Sequence, residues 1–154
     1  MALILAFASV VATGCVHGAV MTDQEIETNG RHTYAASMDK VHAAALAALK
    51  GQGYDIALDN QEKGLIKTGR KDLMAVTQGS NSRYSYSGQT VMYTKQLALK
   101  LVATEDGKSV AVTARPSIYQ GDADISTGAI WALEGPRGER ALWAQLFKDI
   151  EEAL

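Results

Sequence analysis

The sequence predicts an α+β fold: a curved antiparallel sheet of four to five strands with two helices packed on one face. Three observations carry this. Two segments, one near each end of the folded region, repeat apolar residues at spacings of three and four. Between them the apolar period changes to two. One of these alternating segments is interrupted by Asp106-Gly107, a strong hairpin signal. The expected order is strand, helix, four strands, helix.

The folded region begins near Arg31, where "RHTYAA" suits a first strand. "SMDKVHAAALAALKGQGY" then reads as a helix. Ser37 is its expected N-cap, Asp39 sits in the first turn, Lys50 in the last, and Gly51 is the expected left-handed C-cap. Met38, Val41, Ala45, Ala48 and Leu49 mark its core face, with His42 on the edge of that face. In "YDIALDN", alternation places Tyr54, Ile56 and Leu58 on one side of a strand. "LIKTGRK" returns beside it, with Ile66 and Thr68 covered and Lys67 outward.

"QLALKLVATEDGKSVAVTARP" is the expected hairpin. A two-residue type I′ loop at Asp106-Gly107 sets Glu105 opposite Lys108, Ala103 opposite Val110, Leu101 opposite Val112 and Leu99 opposite Ala114. A slip of one residue would mix this apolar set with the polar one, so pattern and turn chemistry support the same register. The last helix spans 139–154. Leu142, Trp143, Leu146, Phe147, Ile150 and Leu154 form its apolar stripe. Trp131, in the long loop before it, is expected inside the body.

The chain has 154 residues, enough for one domain with its own core. A formal net charge of -2 and the lack of any basic cluster argue against a nucleic-acid binder. The N-terminal stretch differs from the rest. "ALILAFASVVA" is apolar but shorter than the roughly 20 residues a spanning helix needs. It matches the apolar core of a secretory signal and is followed by small residues. Cys15, the only cysteine, comes directly after Ala12-Thr13-Gly14. With one cysteine an intrachain disulfide is excluded, and no Cys-x-x-Cys or His-x-x-x-His spacing supplies metal ligands.

Ala12-Thr13-Gly14-Cys15 resembles the lipobox of bacterial lipoprotein precursors. The resemblance implies a signal peptide over 1–14, cleavage before Cys15, and lipid attachment at its sulfur. It also implies outer-membrane localisation facing the periplasm, which the non-acidic Val16 favours. Two acyl chains or more anchor a protein stably, because each buried methylene contributes about 0.8 kcal/mol. Ala12-x-Gly14 also suits an ordinary signal peptidase, which would give a soluble periplasmic or secreted protein. An uncleaved run would itself be the anchor. Residues 15–30 read as the lipid anchor and a flexible tether, and 31–154 as a single α+β domain.

"GYDIALDNQEKGLIKT" resembles the small domains of BamC-like outer-membrane assembly lipoproteins: a helix ending before Gly-Tyr, an alternating strand, then Gly-x-Ile-x-Thr. The resemblance spans roughly 31–154 and implies a helix-grip or TATA-binding-protein-like sheet, no catalysis and an envelope protein partner. It transfers no catalytic residue.

No Gly-x-Ser-x-Gly elbow, His-Glu-x-x-His pair or phosphate loop is present. His17, His32 and His42 are the three histidines. Asp122 and Asp124 in "QGDADISTG" lack the ligand spacing of a calcium loop. "TQGSNSRYSYSGQT", residues 77–90, reads as a polar loop whose Arg83, Tyr84 and Tyr86 are candidate contacts to a protein partner, a glycan or peptidoglycan. Three functional readings follow: a non-enzymatic, lipid-anchored module binding an envelope protein; a module binding a small apolar or lipid-like molecule in a groove between sheet and helices; and an enzyme with an unrecognised site. An apolar cavity under the helices favours the second. A closed core with an exposed Tyr/Arg patch favours the first, and converging titratable groups in a concave site favour the third.

Overall fold

The computed structural model describes residues 18–82 and 85–154, and the side chains of 74–89 lie outside that description. The order is α1 (Asp23–Asn29), β1 (Arg31–Tyr34), α2 (Met38–Gly51), β2 (Ile56–Asn60), β3 (Leu65–Thr68), β4 (Lys71–Ser82), β5 (Ser85–Ala103), β6 (Val110–Gln120), β7 (Ala123–Asp124) and α3 (Glu139–Glu152). This is an α+β fold on one open antiparallel sheet. The sheet has seven strands, more than the four to five expected.

Along the sheet the order is β1-β6-β5-β3-β2, with β4 also on β5 and β7 on β6. The long β5 takes two partners in succession along one edge. Its first half pairs with β4, from Ser85 opposite Ser82 to Lys95 opposite Lys71. Further on, β3 takes over at Ala98 to Lys100. On the opposite edge β6 pairs with Tyr93 to Ala103. The β4–β5 hairpin therefore runs past the sheet as a two-stranded ribbon.

The expected hairpin register is the observed one: Ala103 faces Val110, Leu101 faces Val112 and Leu99 faces Ala114. Its turn differs. The Gly107 N–H bonds the Thr104 carbonyl, and Gly107 alone in the loop has positive φ. Asp106 accepts from the Thr104 hydroxyl and the Lys108 N–H. These side-chain bonds hold a wider loop than a type I′ pair, which would need positive φ at Asp106 too. Glu105 and Lys108 belong to that loop, not to the strand pairing.

Leu99, Leu101, Val110, Val112 and Ala114 are buried under α2 and α3, where they meet Val41, Leu49, Trp143, Leu146 and Ile150. Each buried leucine, valine or isoleucine among them contributes about 1.5–3 kcal/mol of burial free energy. Alanines at 44, 45 and 48 keep α2 close to its neighbours. Tyr34 donates from its hydroxyl to the Phe147 carbonyl at 2.8 Å, tying β1 to α3.

Four local expectations are corrected. The segment expected as anchor and tether, 15–30, is not a tether throughout: α1 occupies Asp23–Asn29, capped by the Thr22 hydroxyl, and buries Ile26. Gly51 is helical, and the left-handed residue after α2 is Gly53. Leu58 is exposed, because a bulge between Ile56 and Leu58 sets it opposite the outward Lys67 while Ile56 stays opposite the buried Thr68. Residues 77–90 are not a loop along their backbone: β4 and β5 run through most of the segment, with Gly79 facing Gly88.

Candidate functional site

The helices do not cover the whole inner face of the sheet. On β5 that face reads Leu101, Leu99, Leu97, Lys95, Tyr93 by alternation, and on β6 it continues to Ile118, the partner of Lys95. Past Leu97 the helix layer stops at the N-terminus of α3. The segment 125–132 lies across the gap, fixed to β6 by the Ile125 N–H to the Ile118 carbonyl and by the Ile118 N–H to the Ser126 hydroxyl. The result is a cleft of 510 Å³ between sheet, helix end and loop. That volume falls in the range of small-molecule sites.

Most of its wall is apolar. Ile118 and Trp131 lie deep in it, Ile125 is half-buried, and Leu73, Ile130 and Leu142 line its mouth. The last three are 43, 76 and 45 % exposed, so apolar surface faces solvent there. Leu73 is the extra residue of a bulge in β4 between Asp72 and Met74. Leu142, read as part of the core stripe of the last helix, serves the cleft instead, because α3 begins only three residues earlier and its first turn overhangs the opening.

Lys95 and Glu139 also line the cleft and are only 7 and 5 % exposed. Lys95 Nζ donates to both oxygens of Glu139, at 2.7 and 2.5 Å. Glu139 is the first residue of α3, where the helix dipole favours a carboxylate. The pair offsets two charges that would be costly alone in an apolar wall. Tyr54 stands nearby: burial raises its phenol pKa, and the charge of Glu139 adds to the rise.

The chain approaches this site from its N-terminal side. The Ala19 N–H bonds the Trp131 carbonyl at 2.9 Å, and the Trp131 N–H bonds the Ala19 carbonyl at 2.6 Å. Gly18 packs so tightly on Ile130 that a Cβ there would overlap it.

The residues singled out from sequence fall elsewhere. Cys15, His17, Arg83 and Tyr84 lie outside the described residues, as does the Tyr86 side chain, whose backbone faces Asn81 across the ribbon. His42 is buried, with Nε2 2.8 Å from Asp59 Oδ1. That contact is off the N–H direction and forms no well-directed hydrogen bond. His32 stacks on Phe147 and tilts on Tyr34. Asp122 is exposed and pairs with Arg70, whose guanidinium covers the Tyr119 ring at 3.9 Å. Asp124 accepts from the Ser126 N–H and hydroxyl, which hold its carboxyl below the usual range.

The groove between sheet and helices expected in the second reading has a counterpart in this cleft, but none of its lining residues was singled out for it from sequence, although Lys95 has the inward parity of Leu97, Leu99 and Leu101. No family model and no curated protein matches the chain.

Proposed function

We propose that this chain is a non-enzymatic binding module of the bacterial cell envelope, anchored through lipid at Cys15, whose cleft receives an apolar ligand. The cleft supports this reading: 510 Å³ of mostly apolar space, open to solvent past Leu73, Ile130 and Leu142. Its one buried acid and one buried base are bonded to each other within the wall. The lipobox-like Ala12-Thr13-Gly14-Cys15 supports the anchor.

The test is titration of the full chain carrying Cys15→Ser with the fluorescent fatty acid cis-parinaric acid. Saturable one-to-one binding, lost when Ile130→Arg is added at the exposed mouth, supports the reading. No saturable binding, or binding unaffected by Ile130→Arg, refutes it.

A second reading has a specific observation behind it. The exposure of Ile130 on a cleft rim suits an anchor side chain from a partner protein. A photocrosslinker at position 130 that captures an envelope protein in living cells, through a segment seated in the cleft, favours this reading over a free small molecule.

A further inference from the structure

We infer that the cleft is the resting place of a fatty acyl chain carried by this protein's own Cys15. The inference rests on the reading above and names its ligand. Two independent features of the structure meet here. The first is the cleft, apolar and open at Ile130. The second is the path of the chain leading to it. Ala19 is held to Trp131 by a reciprocal pair of backbone hydrogen bonds, and Gly18 lies against Ile130. Trp131 and Ile130 are both cleft residues. Gly18 and Ala19, the first described residues after Cys15, therefore lie at the mouth of the cleft and not at a remote face. Cys15 is four residues before Ala19, a reach of at most about 14 Å at 3.3–3.6 Å per residue.

Tethering favours this occupant over any free one. An acyl chain bonded to Cys15 meets the cleft as an intramolecular ligand, at the millimolar effective concentration of a short linker. A free fatty acid has to bring its own concentration. Each methylene taken up is worth about 0.8 kcal/mol, whether it leaves water for the cleft or for a bilayer. Cleft and bilayer are thus comparable solvents for one chain. Off the membrane, the cleft removes that chain from water. Lys95 and Glu139 do not oppose this, because their charges are matched within the wall.

The experiment reads tryptophan emission. The protein has two tryptophans: Trp131 in the cleft and Trp143 in the core. Cells supplied with a brominated fatty acid place a heavy-atom quencher on Cys15. The full chain is then purified and held in detergent below its micelle concentration, with intact mass verifying the brominated acyl group. The expected result is dimmer emission than from the same protein with ordinary acyl chains. The dimming should vanish in Trp131→Phe, where Trp143 reports alone, and in Ile130→Arg, which keeps both rings and changes only an exposed side chain. Undimmed emission with bromine on Cys15 overturns the inference, as does dimming that persists in Trp131→Phe. A mass without lipid overturns it together with the anchor. None of these results bears on cis-parinaric acid binding to the Cys15→Ser chain, so the inference and the cleft reading fail separately.

Discussion

Lys95 and Glu139, forty-four positions apart, form a buried ion pair in the wall of an apolar cleft, with Lys95 Nζ bonded to both carboxylate oxygens. The pair closes the end of the core. On one side lies Leu97 in the packed interior, and on the other the cleft opens. Removing one partner strands the other charge in a place with little water. Lys95→Met alone or Glu139→Gln alone is expected to lower stability by about 3–5 kcal/mol. The double variant should recover most of that loss, because no unpaired charge remains. Urea unfolding of the three variants measures it, and additive losses would mean the two side chains do not act as a pair.

Cys15→Ser is expected to move the protein from the membrane to the soluble fraction. Cell fractionation with immunodetection reads this directly. A variant that stays with the membrane would show that the sulfur is not the anchor.

Acid should loosen the N-terminal helix first. Arg140 bonds Glu25 through two nitrogens, at 2.7 and 2.9 Å, and this contact holds the Glu25 carboxyl below its ordinary value of 4.5. A carboxyl depressed in the folded state stabilises the protein above its unfolded value. That contribution is lost as pH falls through 4.5 toward the lower folded value. In Glu25→Gln the decline of melting temperature below pH 4.5 should be shallower than in the wild type, while near neutrality the variant should be the less stable of the two. Parallel pH profiles would exclude Glu25 as a contributor to acid sensitivity.

Gly64 turns the chain between β2 and β3 with a φ of 57°, and a Cβ there would come within 2.2 Å of the Leu101 carbonyl oxygen. The Leu101 N–H meanwhile bonds the Gly64 carbonyl at 2.7 Å. Gly64→Ala must strain the turn and break this contact, a cost of about 1–3 kcal/mol or more. Thermal unfolding measures the loss, and an unchanged melting temperature would contradict the turn geometry described here.

Where the fold was legible in the sequence, a local rule and a global one agreed. Asp106-Gly107 and the alternation of Leu99, Leu101, Val110 and Val112 independently set one register, and it is the register found. Helices α2 and α3 were legible because Val41, Leu49, Trp143 and Ile150 recur at helical spacing and meet in one core, whereas the short α1, with Ile26 its single buried residue, read as tether. The misses have physical causes. A bulge shifts parity without leaving a mark in composition, so Leu58 read as inward and is outward. Serines and glycines at 77–90 signal turns, yet β4 and β5 continue through most of that stretch as backbone partners, with Gly79 opposite Gly88. The cleft was hardest to see. It arises where α3 starts, and its wall is assembled from positions as far apart as Leu73 and Leu142. A groove between sheet and helices was one expected reading, and the inward parity of Lys95 was the residue-level signal for where it lies.

The proposed function requires that the cleft, and not another surface, takes an apolar chain. Isotope-filtered NMR of the full chain with Cys15→Ser and cis-parinaric acid tests it most directly. Contacts are expected between the ligand's chain protons and the methyl groups of Ile118, Ile130 and Leu142, with none to Ala43 and Ala47 on the outer face of α2. Contacts to those alanines with none to Ile130 and Leu142 would contradict it.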